Sequence, residues 1–290
     1  MTHATTRFAR VFLAVTAAAL ASALFAADSI ALQSANLVAA FRPERLGGPT
    51  TISLAFRIFS NPPSSQTPLR SVTVELPSEM GIATSGLGLE NCLVSRLEAL
   101  GSEGCPANSL MGRGTATAEI PIAGEVIAES ARVELFSAPV QLGRLALLVY
   151  ASAESPVFAQ LVFPATVAPA APPYSEGIET SVPLVPSVPG APDVAVTRFR
   201  MELGTTTEGL GHFVYYRRVH GRRVPYTPRG LQLPSRCPYG GFPFEAHFAF
   251  EDQTTAAAHT IVACPRRARL RRPQRLYEHP DSQPDGVGSR

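Results

Sequence analysis

The chain has 290 residues and a formal net charge of +2, with 45% hydrophobic and 17% charged residues. This balance excludes a chain that is disordered throughout, because disordered sequences combine low hydrophobicity with high net charge. All of its basic side chains except histidine are arginine, and tryptophan is absent; neither bias indicates a function.

The N-terminal segment has the order of a secretory signal peptide. Arg7 and Arg10 precede an apolar run over 11–25, and small residues follow. Because this run is shorter than the roughly 20 residues of a membrane-spanning helix, we expect cleavage after Ala31, or alternatively after Ala27. The sequence therefore predicts a signal peptide over 1–31, export to the cell envelope or the extracellular space, and membrane contact only before cleavage.

Alternation with a period of two follows the signal segment and indicates half-buried strands. In the segment 51–59, Ile52, Leu54 and Phe56 share one face. Further strands are predicted around 72–76 and over 114–122, 131–136, 144–151 and 158–167. Only the segment 91–100 has helical spacing, through Leu93, Leu97 and Leu100.

A proline-rich stretch over 164–192 interrupts this pattern. Since proline cannot donate to a sheet ladder, we expect the stretch to run extended over the surface and to divide the chain. The predicted fold is all-β, with an N-terminal β-sandwich over 33–169 and a C-terminal β domain over 170–265. The alternative is one larger sandwich in which the proline-rich stretch crosses between sheets.

The second half resumes the alternation, most regularly in the run 242–250. There Phe242, Phe244, Phe248 and Phe250 share one face, which predicts the centre of a second core. A return strand is expected to end at Cys264. The Arg-rich segment 266–290 carries no apolar pattern and is predicted to be a disordered tail.

Four cysteines allow three disulfide pairings. The expected pairs are Cys92 with Cys105 and Cys237 with Cys264, because each pair brackets one local loop. Each bond is expected to contribute roughly 3 to 3.5 kcal/mol in the chain-entropy model. A zinc site is the rival interpretation, but the sequence has no C-x-x-C knuckle.

The usual catalytic motifs are absent, including G-x-S-x-G, H-E-x-x-H, the Walker loop and S-x-x-K. No catalytic residue, metal site or cofactor is therefore predicted, and an enzyme is disfavoured. If an extracellular hydrolase were correct, its site would be Glu245, His247 and His259, on neighbouring strands.

An Arg- and Tyr-rich hairpin is predicted with its turn near His220 and Gly221. Its arginines and tyrosines can bind an anionic or carbohydrate polymer of the cell envelope through charge pairing and stacking; they are Tyr215, Tyr216, Arg217, Arg218, Arg222, Arg223 and Tyr226. Nucleic acid is not expected as a partner, because the chain is predicted to be exported.

A C-P-x-x-S-x-x-G-x-G-x-A string begins at Cys105, and Cys237 and Cys264 also precede prolines. Together with the segment 240–244, these strings are similar to a group of exported β-rich proteins of high-GC bacteria that have no assigned activity. The resemblance implies a fold and a compartment only. The sequence predicts a non-catalytic secreted or envelope-associated interaction module; polymer binding and extracellular hydrolysis are the alternatives.

Overall fold

The computed structural model describes residues 32–61, 66–82, 90–122, 124–155, 158–187, 192–204, 215–226 and 231–265. The predicted signal peptide and C-terminal tail lie outside these ranges. The first eight strands are β1 (Leu32–Arg42), β2 (Pro49–Asn61), β3 (Leu69–Pro77), β4 (Gly81–Ile82), β5 (Leu110–Ile122), β6 (Glu125–Gln141), β7 (Arg144–Ala153) and β8 (Ala159–Pro169). The remaining strands are β9 (Tyr174–Ser181), β10 (Ala195–Leu203), β11 (Tyr215–Val219), β12 (Arg222–Tyr226), β13 (Leu231–Gln232), β14 (Phe242–Phe250) and β15 (Thr255–Val262).

Thirteen of these strands form one antiparallel sheet. Its order is β15, β14, β3, β9, β8, β7, β6, β5, β10 and β2, with β1 also paired to β2. The short strands β13 and β4 continue from one end of β2. Because β1 lies against β15, the sheet curls into a nearly closed, barrel-like layer.

The all-β class is confirmed, but the sheet does not clearly divide into two sandwich domains. β3, from the first half of the chain, lies between β14 and β9, and β10 lies between β5 and β2. The predicted boundary near residue 169 falls in the connection between two neighbouring strands, β8 and β9. Alternation reports which face of a strand is buried but not which strand is its neighbour, and this is why the sequence did not reveal the single sheet.

The phenylalanine face of β14 packs inside this sheet, together with β1 and β2. All four of its phenylalanines are buried. Phe41 contacts Phe242 edge to face at 5.2 Å between ring centroids, and Phe56 contacts Phe248 in the same way at 5.0 Å. The expected second core is therefore part of one interior that both halves of the chain build.

A second, smaller cluster lies on the outer face of β6, β7 and β8. The helix α1 (Val94–Leu100) packs there and buries Leu97 fully, whereas Leu93 and Leu100 are exposed. The disulfide between Cys92 and Cys105 closes the loop that contains α1. The amide of Cys92 donates to the carbonyl oxygen of Ser137 on β6, so the loop is tied directly to the sheet.

The proline-rich stretch departs from its prediction. Its first part forms the end of β8, and β9 follows within it. Residues 170–173 form the turn between β8 and β9, and the described residues of 182–194 belong to no strand. Pro164 is accommodated within β8 opposite Leu148, where the neighbouring β-branched residues favour a strand.

No helix in the described ranges is long and apolar enough to cross a membrane.

Candidate functional site

An apolar cavity of about 230 Å³ lies inside the barrel-like sheet. Its walls are the inward faces of β2, β3 and β5 to β10, and the segment 182–187 covers one end. Seven of the lining residues are alanines: Ala116, Ala118, Ala131, Ala151, Ala153, Ala159 and Ala165. Alanine side chains do not reach across the interior, so the space between these strands stays open.

The contrast with β14 explains where the cavity lies. The phenylalanines of β14 fill the interior on one side, while the alanines of β5 to β8 leave it empty on the other. Phe56 and Phe199 stack at 5.1 Å between ring centroids and line the cavity. They form the wall between the packed part of the interior and the hollow part.

Three polar side chains line the cavity: Glu129, Thr180 and Ser187. The hydroxyl of Thr180 donates to the carbonyl oxygen of Pro164 at 2.8 Å, and the hydroxyl of Ser187 donates to that of Pro121 at 2.9 Å. Glu129 is only 6% exposed, and its Oε1 has no hydrogen-bond partner among the described residues. The carboxylate is therefore the polar group of the cavity that lacks a protein partner.

Residues 182–187 and 192–194, which we call the strap, lie over the end of the cavity that holds Glu129. Its two arms are joined by the amide of Val194, which donates to the carbonyl oxygen of Val185, and by a bridge between Pro186 and Asp193. The bond from Ser187 to Pro121 fixes the strap to β5. Residues 188–191 are outside the described ranges.

Sequence reasoning missed both the cavity and Glu129. The predicted strand 131–136 began too late, although Glu129 continues the inward phase of Ala131 and Val133 on β6. A carboxylate in phase with a buried apolar face is unusual, because burying a charge is costly. This signal was present in the sequence.

The predicted Arg- and Tyr-rich hairpin is confirmed as a two-stranded sheet of β11 and β12. Its turn residues His220 and Gly221 both have positive φ, at 48° and 77°, as a type I′ turn requires. Arg218 and Arg223 lie opposite each other and are exposed, as is Arg222. The guanidinium of Arg223 lies 4.6 Å from the centre of the Tyr216 ring.

The hairpin is anchored to the main sheet through Asn108, which is 5% exposed. Asn108 donates from Nδ2 to the carbonyl oxygen of Tyr216 at 2.8 Å and accepts the Tyr216 amide at 3.1 Å. It lies in a short 3-10 helix, Ala107–Ser109, just after Cys105. The structure describes the backbone of Tyr215, Arg217 and Tyr226, and their side chains lie outside the description.

A second basic surface, which the sequence analysis did not single out, lies on the outer face of β2 and β10. Arg57 is directly opposite Arg198, and Arg200 follows two residues along β10. No ion pair joins these three exposed arginines to an acid in the described ranges. We call Arg57, Arg198 and Arg200 the arginine strip.

The residues expected for a hydrolase come together only in part. The Nε2 atom of His247 lies 3.7 Å from Oε1 of Glu245, and Glu75 joins them, with ligand atoms within 4.8 Å of one another. His259 lies opposite Glu245 on β15 but is not in this group. The group lies on the outer face of the sheet, away from the cavity, where water reaches it.

The hydroxyl of Tyr174 donates to Oε2 of Glu245 at 2.8 Å. Burial raises the pKa of Tyr174 to about 12, aided by this hydrogen bond and by the negative charges of Glu245 and Glu75. The neutral phenol is thus favoured in the folded state. Its contribution to stability is present below pH 10, the ordinary pKa, and is lost as the pH rises towards 12.

We expect Glu245→Gln to lower the pKa of Tyr174 towards its ordinary value. Glutamine can still accept the hydrogen bond but carries no charge. Ultraviolet titration, with Tyr174→Phe to identify the signal, measures the shift. Glu179→Gln, an exposed carboxylate on β9, should leave the titration unchanged; an unchanged pKa in Glu245→Gln would contradict the assignment.

Both predicted disulfides are present, Cys92–Cys105 and Cys237–Cys264, and no free cysteine remains. Disulfides persist in oxidising compartments, so the two bonds indicate an oxidising environment such as the extracellular space. No protein-family model matches this chain, and comparison with curated proteins and solved structures finds no significant match.

Proposed function

We propose that this protein is a non-catalytic, exported binding protein that holds a small apolar ligand inside its barrel-like sheet. The main observation that supports this proposal is the apolar cavity. An apolar cavity of about 150 Å³ is known to bind benzene, so one of about 230 Å³ accommodates roughly nine non-hydrogen atoms. The disulfides and the signal-like N-terminal segment support a role outside the cytoplasm.

The chemistry of the lining favours binding over catalysis. Its side chains are alanine, valine, leucine, isoleucine, phenylalanine, proline and methionine, with only three polar residues among them. Such a surface attracts a ligand through burial of apolar area and dispersion contacts. The hydroxyls of Ser187 and Thr180 both donate to backbone carbonyl oxygens and not to a histidine or another base.

We expect the uncharged probe n-propylbenzene to bind with a Kd of about 0.1 mM, as nine apolar atoms of ordinary ligand efficiency imply. Calorimetry gives the affinity, and methyl resonances of Ala131, Ala151 and Val133 locate the probe. The variant Ala131→Leu with Ala151→Leu fills the cavity and should abolish binding. The control pair Ala128→Leu with Ala257→Leu adds the same volume on exposed positions and should bind normally; absence of binding by the unmodified protein would refute the proposal.

Binding of an anionic polymer is a second candidate function, supported by the exposed arginines of the β11–β12 hairpin. Arg218, Arg222 and Arg223 have no acidic partner among the described residues. The bonds from Asn108 hold the hairpin in one position on the sheet. A fixed cluster of unpaired cations attracts polyanions, and the attraction weakens as salt is added.

Retention on immobilised dextran sulfate tests this second function. Changing Arg218, Arg222 and Arg223 to Gln should abolish salt-sensitive retention. The matched control changes the three residues of the arginine strip to Gln, which removes the same charge from another surface. Equal loss in both variants would show attraction by net charge alone and would contradict a hairpin site. Turnover of the polymer that His247→Ala abolishes would instead favour the hydrolase alternative.

A further inference from the structure

We propose that the ligand in the cavity carries a protonated amine that pairs with Glu129, so that the protein selects small cationic amphiphiles. This inference rests on the proposed function, because it concerns the same cavity. It adds the chemical class of the ligand: an apolar body of the size given above and one positively charged head that donates hydrogen bonds.

The carboxylate of Glu129 is buried without a hydrogen-bond donor among the described residues. Glu129 is only 6% exposed. It lines a cavity whose other residues are almost all apolar. Its Oε1 accepts no hydrogen bond from the described residues. A buried acceptor without a donor costs about 1 to 3 kcal/mol, and more when the group is charged.

The described residues offer no donor to Glu129 at this position. The hydroxyl hydrogens of Ser187 and Thr180 already point to backbone carbonyl oxygens. No arginine or histidine is among the residues that line the cavity. None of the described residues therefore donates to Oε1 of Glu129, and a molecule inside the cavity can supply the donor.

The carboxylate of Glu129 discriminates between classes of ligand head group. An anionic head would meet a carboxylate and no basic residue, so repulsion and desolvation both oppose it. A neutral alcohol can donate one hydrogen bond but leaves the charge unpaired. An ammonium group supplies three donors and a positive charge, and a hydrogen bond between charged groups is about twice as strong as a neutral one.

The place of Glu129 in the sheet orients such a ligand. The inward residues of β6 run from Glu129 to Leu135, over roughly 20 Å of strand, and all of that face lines the cavity. Glu129 lies at the end that the strap covers, because its strand is paired there with the end of β5 to which Ser187 is bonded. The amine thus lies beneath the strap, and the apolar tail extends towards Met201 and Leu135.

Calorimetry with three probes of equal chain length tests this selectivity: n-octylamine, octan-1-ol and octanoate. At neutral pH we expect octylamine to bind the unmodified protein about tenfold or more tightly than octan-1-ol, and octanoate to bind weakest. In Glu129→Gln, which keeps the shape of the side chain, the advantage of the amine over the alcohol should disappear. Glu119→Gln removes a carboxylate from the neighbouring strand, outside the lining of the cavity, and should preserve the advantage.

Binding of n-propylbenzene separates this inference from the proposed function. It should be unchanged in Glu129→Gln, which also verifies that the variant is folded, and Glu129→Leu should retain it while favouring the alcohol over the amine. Equal binding of amine and alcohol by the unmodified protein, or an amine advantage that survives in Glu129→Gln, overturns the amine assignment alone. Failure of every probe, n-propylbenzene included, overturns the proposed function as well.

Discussion

Replacing Phe248 by alanine should lower the free energy of unfolding by about 3 to 5 kcal/mol, as for other fully buried phenylalanines. Phe248 is 1% exposed and contacts Phe56, which also forms part of the cavity wall. The truncation therefore removes a large apolar side chain and opens a void behind Phe56, which loses its packing partner on the side away from the cavity. Little local collapse can compensate for this loss.

Phe158 provides a matched control for this prediction. It is also a phenylalanine on the described surface, but it is 69% exposed. Phe158→Ala should change stability by no more than about 0.5 kcal/mol. Urea unfolding followed by circular dichroism measures both variants. Similar losses in the two would show that burial in the shared core is not what stabilises the fold.

The second large effect concerns the disulfide between Cys237 and Cys264. The bond joins residues 27 positions apart and encloses the whole β14–β15 hairpin. In the chain-entropy model, a loop of this length contributes about 3.5 kcal/mol by restricting the unfolded chain. The double variant Cys237→Ser with Cys264→Ser should lose about that amount in denaturant unfolding.

The shorter loop between Cys92 and Cys105 allows an internal comparison. Its separation is 13 residues, so its removal should cost slightly less, about 3 kcal/mol. The two variants should also differ in the region that they loosen. Removal of Cys92–Cys105 should increase amide exchange in α1 and in the hairpin anchored by Asn108. A negligible loss from removal of Cys237–Cys264 would contradict the loop-entropy account for this chain.

The sequence predicted strands where large and polar side chains alternate. The run 242–250 matches β14, and the segment 51–59 lies within β2. β1 was missed because alanines occur on both of its faces, at Ala35, Ala39 and Ala40, which weakens the alternation. β9 was missed because the flanking prolines indicated an extended surface segment.

The candidate site was less predictable than the strands. A cavity arises from a mismatch in side-chain size between strands that are distant in sequence, such as β6 and β10, and single-strand patterns do not contain this information. The local loops were predictable, because both disulfides and the His220–Gly221 turn depend on residues close in sequence. The inward position of Glu129 could be predicted from the alternation along β6. Its proposed role depends on the neighbouring cavity, which that alternation does not reveal.

The contact between β1 and β15 constrains the order in which the strands of this chain can fold. From β5 to β9 each strand pairs with the next one in the chain, so these strands can associate through contacts that are local in sequence. The contact between β1 and β15 instead joins segments about 220 residues apart, and such distant contacts slow folding. We therefore expect the seam between β1 and β15 to close late in folding, after the strands from β5 to β9 have paired.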